Sequence, residues 1–274
     1  MNLWITQALT VMRVELKRYV LARRWIGVYL AAYAPVAMLL FAAVQMAARS
    51  ERSMGGRMPS IPDLSEVYAF FYQTFMLRLA IFFSCALVFS QLFRGEVLEK
   101  TLHFYLLSPV RREVIAIGKF LAGTVAMALI FSTSTILTNL LMYAAATSGP
   151  AFFFEGNGIP YLLRYLIVTV LACTAYGGVF TLTGLRFRNP VIPAIIVGLW
   201  EAFYFFLPES LQKLTIMHYL QSLLPLIIDR GPFSVVVDAS SAVFSVLVLI
   251  GVAALLVWAS GKLLCRTEVT YSSD

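Results

Sequence analysis

The chain has 274 residues, of which 60% are hydrophobic and 13% charged, with a mean hydropathy of +0.83. That is more apolar surface than one water-soluble core can hide, so the bilayer is the solvent these residues imply. The net charge of +7 does not point to nucleic acid, because the basic residues gather at the ends of apolar runs and form no stripe interleaved with aromatics.

From the N-terminus, Ile5, Leu9, Met12, Leu16 and Tyr19 fall at helical spacing, with Arg13, Lys17 and Arg24 off that stripe. This predicts an amphipathic helix over about 3–25, lying at a membrane surface. Charge continues to Arg24 and no small-residue cleavage pattern follows, so this is not read as a cleavable signal peptide.

Uncharged or nearly uncharged runs then predict spans over about 26–48, 67–93, 120–146, 165–185, 189–207 and 239–261. The loop between the first two mixes both charge signs with Gly55, Gly56, Pro59 and Pro62. Ser132, Thr133, Ser134, Thr135, Thr138 and Asn139 give the third run a polar patch able to bond to its own backbone or to a neighbouring helix. Between the last two, 208–238 carries an apolar stretch too short to cross and broken by Pro225, which reads as an outer re-entrant or interfacial segment.

With both termini in the cytoplasm, 14 basic residues fall on the cytoplasmic side and six outside. Lys/Arg bias sets orientation, so the chain is read as a multi-pass protein of the cytoplasmic (inner) membrane, all-α, with six transmembrane helices.

The segment 94–119 between the second and third spans is the longest stretch that mixes both charge signs with apolar residues. Together with the order of helix, spans and loops, Glu96, Glu99, Thr101-Leu102, Leu106-Leu107-Ser108-Pro109-Val110-Arg111-Arg112-Glu113 and Gly118-Lys119-Phe120-Leu121 resemble the membrane subunit of the ABC-2 type permease family. Lys100 stands where that family usually has glycine, and His103 where it usually has glutamate. The resemblance covers essentially the whole chain, though its specific residues lie within 94–121.

The resemblance implies that 94–119 is a cytoplasmic coupling segment docking into a separately encoded ATP-binding subunit. Glu96, Glu99, Arg111, Arg112 and Glu113 would supply charge complementarity, and Leu102, Tyr105, Leu106 and Leu107 an apolar anchor. Pro109 is suited to ending a helix there, and Ser108 to capping the next. It further implies an exporter built from two permease subunits, identical or related, and two copies of the ATPase. ATP and Mg²⁺ would be held by the partner, because this chain has no Gly-x-x-x-x-Gly-Lys-Ser/Thr loop. The expected cargo is lipidic, glycan-linked or amphipathic.

Two other classes compete with an exporter. One is a non-transporting ABC-type membrane scaffold assisting maturation of an extracytoplasmic enzyme. The other is a membrane enzyme acting on lipids, which is disfavoured because acids and histidines do not cluster at either membrane face.

Arg78 and Glu201 interrupt the second and fifth runs, and an ion inside hydrocarbon costs several kcal/mol or must snorkel. Counted from the outer ends of their spans, their depths differ by roughly 8 Å at about 1.5 Å per residue, within arginine's reach. They are therefore expected to pair or to line a polar cavity facing the other subunit, the alternative being that each snorkels separately to the outer headgroups. No catalytic or metal site is expected: the two histidines, His103 and His218, stand in no acidic or histidine cluster in the sequence. The three cysteines, Cys85, Cys173 and Cys265, are far apart and form no CxxC.

Overall fold

A computed structural model describes residues 2–20, 25–52, 60–98, 111–144, 149–187, 189, 191–226 and 240–266. Among these the fold is all-α, with no strand. The helices are α1 (Asn2–Val20), α2 (Ile26–Arg52), α3 (Ile61–Phe71), a π-helical stretch (Tyr72–Ile81), α4 (Phe82–Leu98), α5 (Arg112–Ala144), α6 (Gly149–Glu155), α7 (Gly158–Arg186) and α8 (Val191–Ala202). After a 3₁₀ turn (Phe203–Phe206) come α9 (Glu209–Gln212), α10 (Ile216–Ser222) and α11 (Ala242–Arg266).

Five helices among the described residues are long and apolar enough to cross a membrane: α2, the continuous α3-π-α4 rod, α5, α7 and α11. The predicted fifth span is a shorter object, the 12 residues of α8 followed by the 3₁₀ turn. Its neighbours run longer than hydropathy alone indicates. The second rod starts at Ile61 rather than 67, because Ser60 and Asp63 form a reciprocal capping box and Pro62 stands in the first turn. α5 starts at Arg112 rather than 120, so its first two turns carry Glu113 and Lys119 as helical residues.

One end of the bundle, the base, holds the ends of α4 and α7, the start of α5 and the end of α11. The opposite end, the crown, holds the starts of α3, α7 and α11. α4, α5 and α7 form the centre, and glycines allow their backbones to approach. A Cβ on Gly184 of α7 would stand 2.7 Å from the Ser90 backbone of α4, and one on Gly177 would stand 2.7 Å from the Phe89 ring. Small residues at such crossings let van der Waals packing hold helices together where lipid removes the hydrophobic drive.

Toward the crown the core is polar, and most of its hydroxyls are bonded, whereas the buried Asn139 amide and Tyr165 hydroxyl have no hydrogen-bond partner among the described residues. Tyr72 donates to the Tyr165 carbonyl at 3.0 Å and lies 2.7 Å from the Thr169 hydroxyl, while Tyr143 donates to the Ser65 hydroxyl at 2.9 Å. Tyr68 reaches Thr135 and Thr138 at 3.3 Å. Of the polar patch predicted on the third run, Ser134, Thr135, Thr138 and Asn139 face inward while Thr133 is exposed. Thr135 and Thr138 tie α3 to α5, and Thr135 meets Thr169 of α7 at 3.2 Å, satisfying hydroxyls that would be costly in hydrocarbon.

Candidate functional site

The π stretch makes the first half of the site. At its end the Phe82 N–H donates to the Leu77 carbonyl five residues back, so the turn is wider than an α-turn. Met76 and Leu77 point into the core, while Thr74, Arg78 and Leu79 line a cavity of about 440 Å³. Phe82 and Phe83 of α4, Tyr176 of α7 and Met217 of α10 complete one side. The other is α8, whose Ala194, Ile195, Gly198, Leu199 and Glu201 share a face at helical spacing.

Glu201 is 8% exposed and fully engaged. Its Oε1 accepts the Ile216 N–H at 3.0 Å, and its Oε2 accepts the Met217 N–H at 3.1 Å and the Tyr176 hydroxyl at 3.5 Å. The carboxylate therefore caps the start of α10 from another helix, while Thr215 accepts the His218 N–H as the local cap. Gln212 folds the intervening turn back by donating to the Leu207 carbonyl at 2.9 Å. Arg78 lies close enough to Glu201 and Tyr176 to act on both electrostatically. The two charges singled out in sequence thus line one mostly apolar cavity, together with the hydroxyl-bearing Thr74 and Tyr176.

A second cluster occupies the base. Arg111 places its guanidinium carbon 4.3 Å from the Trp4 ring centre. Arg112 reaches the terminal carbonyls of α11, Leu264 at 3.5 Å and Cys265 at 3.4 Å, where a cation suits a helix C-terminus. Glu113 pairs with Lys262 at 3.2 Å, both half-exposed. Deeper, Lys119 donates to Glu15 at 2.7 Å with side chains 0% and 1% exposed. Next to it a Cβ on Gly118 would stand 2.8 Å from Val11, so α1 lies directly on α5. The face α1 turns to the bundle is Ala8, Val11 and Glu15, which leaves Ile5 and Leu9 of the predicted apolar stripe exposed.

Of the predicted coupling residues, Arg111, Arg112 and Glu113 are thus engaged with α1 and α11. Glu96 belongs to the last turn of α4, and Glu99, Leu102, Tyr105, Leu106, Ser108 and Pro109 lie outside the described residues. Sequence reading missed the Glu15–Lys119 pair. Its traces were a lone acid in a basic helix and a lysine beside a glycine at the head of an apolar run.

Among the described residues no three His, Cys, Asp or Glu side chains form a group able to hold a metal. His218 lies 3.3 Å from the Ser240 hydroxyl, and burial, with Lys213 nearby, pushes its imidazole below the ordinary range. Cys85 and Cys173 are both buried in one core cluster, which their spacing in sequence does not reveal.

Fold and site together define a multi-pass, all-α membrane protein with a cavity between its central rod and a short apolar helix. No protein-family model matches the chain, and no curated protein matches it.

Proposed function

We propose that this chain is the membrane-spanning permease subunit of an ATP-driven exporter of the ABC-2 type, with α8 and its 3₁₀ turn as the fifth of six spans. Both termini and the base face the cytoplasm of a bacterial-type inner membrane. ATP is hydrolysed by a separate subunit present in two copies, and a second permease subunit, identical or related, completes the transporter. The cargo is amphipathic, lipidic or glycan-linked.

The observation that carries this reading is the base. The segment 99–110 is bracketed by the ends of α4 and α5, and the residues that follow it bind α1 through Trp4 and Glu15 and α11 through its last carbonyls and Lys262. A displacement delivered to that segment from outside is thereby imposed on α1, α4, α5 and α11 together. Coupling between distant sites needs such a physically continuous element with two arrangements. The apolar cavity with Arg78 and Glu201 supports the cargo class.

The test is co-purification with ATP-binding subunits encoded in the same genome, followed by ATP hydrolysis in the presence of amphiphiles. Association and stimulated hydrolysis are expected with the native chain and are lost when 99–110 is replaced by a Gly/Ser linker. Labelling of a Ser108→Cys variant from the outer face of intact cells overturns the reading.

A further inference from the structure

A second concavity, of about 490 Å³, lies on the crown half of the bundle between α7, α10 and α11. It shares no lining residue with the Arg78–Glu201 cavity. Its polar and apolar parts are segregated along the bundle axis. Arg164 of α7, Ser222 at the end of α10 and Ala242 and Val243 at the start of α11 lie at the crown level. One helical turn further in, Ile167 stands below Arg164, and Val246 and Leu247 stand below Ala242 and Val243. Leu224 is buried at 6% exposure, whereas Ile167, Val243 and Leu247 are more than half exposed on the lipid-facing surface.

We propose that this groove binds one phospholipid with an anionic headgroup, drawn from the surrounding bilayer. Its phosphate is held at the Arg164 guanidinium, and one acyl chain lies along Ile167, Val246 and Leu247. Three features select this occupant. The groove opens sideways from helices long enough to span a membrane, where lipid chains are the surrounding medium. Among the described residues its single lining charge is a cation at the end of a span, the depth at which headgroup phosphates lie, and arginine's planar fork matches phosphate oxygens. Below that charge the lining is branched aliphatic side chain, complementary to an alkyl chain. A net-negative headgroup is favoured over a zwitterionic one because in the latter the headgroup's own cation offsets the phosphate charge that the guanidinium meets.

α10 contributes to both concavities, Met217 to the cavity and Ser222 to the groove. A bound lipid therefore bears on the far end of the helix that Glu201 caps. The site does not depend on the transport reading.

The test uses the full chain, purified and delipidated in detergent, titrated with phosphatidylglycerol and with phosphatidylcholine of the same chains. Retained lipid is counted by native mass spectrometry and the thermal midpoint is followed. Phosphatidylglycerol is expected to bind more tightly and to raise the midpoint. Arg164→Gln should weaken it about tenfold, the loss of one charge-assisted contact, and bring the two lipids level. Arg164→Lys should retain part of the preference, and Val246→Trp should displace both lipids by filling the slot. Equal binding of the two lipids by the native chain, or retention unchanged in both Arg164→Gln and Val246→Trp, overturns the proposal. Glycerol phosphate should have no effect, and stabilisation by it equal to that by lipid identifies a free-phosphate site and also overturns it. If Val246→Trp does not fold, the contrast between Arg164→Gln and Arg164→Lys decides alone.

Discussion

The Lys119 ammonium donates to the Glu15 carboxylate at 2.7 Å, across an interface where neither side chain reaches solvent. This pair joins the N-terminal helix to the first two turns of α5, with the Phe93 ring 5.7 Å from the ammonium. Truncating one partner of a buried ion pair strands the other charge. Lys119→Met or Glu15→Leu alone should therefore destabilise the protein by about 3–5 kcal/mol, and the double replacement should recover most of that loss. Thermal unfolding of the three variants in one detergent checks this, and additive losses in the double variant contradict a direct pair.

The α4–α7 crossing should be intolerant of a single methyl group. Gly184→Ala places a Cβ against the Ser90 backbone, which cannot rotate away, and should cost about 1–3 kcal/mol. Gly251→Ala in α11 meets nothing within 4 Å and should be neutral or slightly stabilising. Unfolding midpoints of the two variants, compared side by side, separate close packing from a general effect of replacing glycine in a span.

Glu201 should hold α10 in place. Glu201→Leu removes the acceptor for two backbone N–H groups, at about 1–3 kcal/mol for each left unbonded. Glu201→Gln keeps one acceptor oxygen and should lose less. The readout is thiol labelling of a Met217→Cys variant, which should be slow with Glu201 present, faster with Gln and fastest with Leu. Equal rates in all three would show that α10 is held by packing alone.

His218 predicts a pH dependence of stability. Its pKa in the folded protein lies below the ordinary value of about 6.5, so between the two values the unfolded chain binds more protons. Stability from this residue is complete above the unfolded value and is lost as pH falls below about 6.5 toward the folded one. His218→Gln, which keeps a polar group opposite Ser240, should flatten that acid-side loss relative to the native chain. Midpoints measured across pH 5–8 check the sign.

Much of the fold was legible because hydropathy acts over long windows. Apolar runs marked all five long helices, and the charge at their ends marked the base. Helix ends were less legible because they depend on local bonding. The Ser60–Asp63 box extends α3 beyond its apolar run, and Arg112 and Glu113 extend α5 through contacts with the end of α11. The candidate site was half legible. Arg78 and Glu201 stood out as charges in apolar surroundings, but the use of Glu201 as a cap for Ile216 and Met217 depends on a turn that no periodicity describes.

What the amino-acid sequence determined by itself is the solvent and the helices: composition demands lipid, and in lipid a backbone must satisfy its own hydrogen bonds. Which buried polar groups find each other was decided only by the tertiary structure. Glu15 meets Lys119 from 104 positions away, and Cys85 joins Cys173 in one core cluster, because packing between helices is set by the shapes of facing side chains. Those shapes act across space, and distance along the chain carries no record of them.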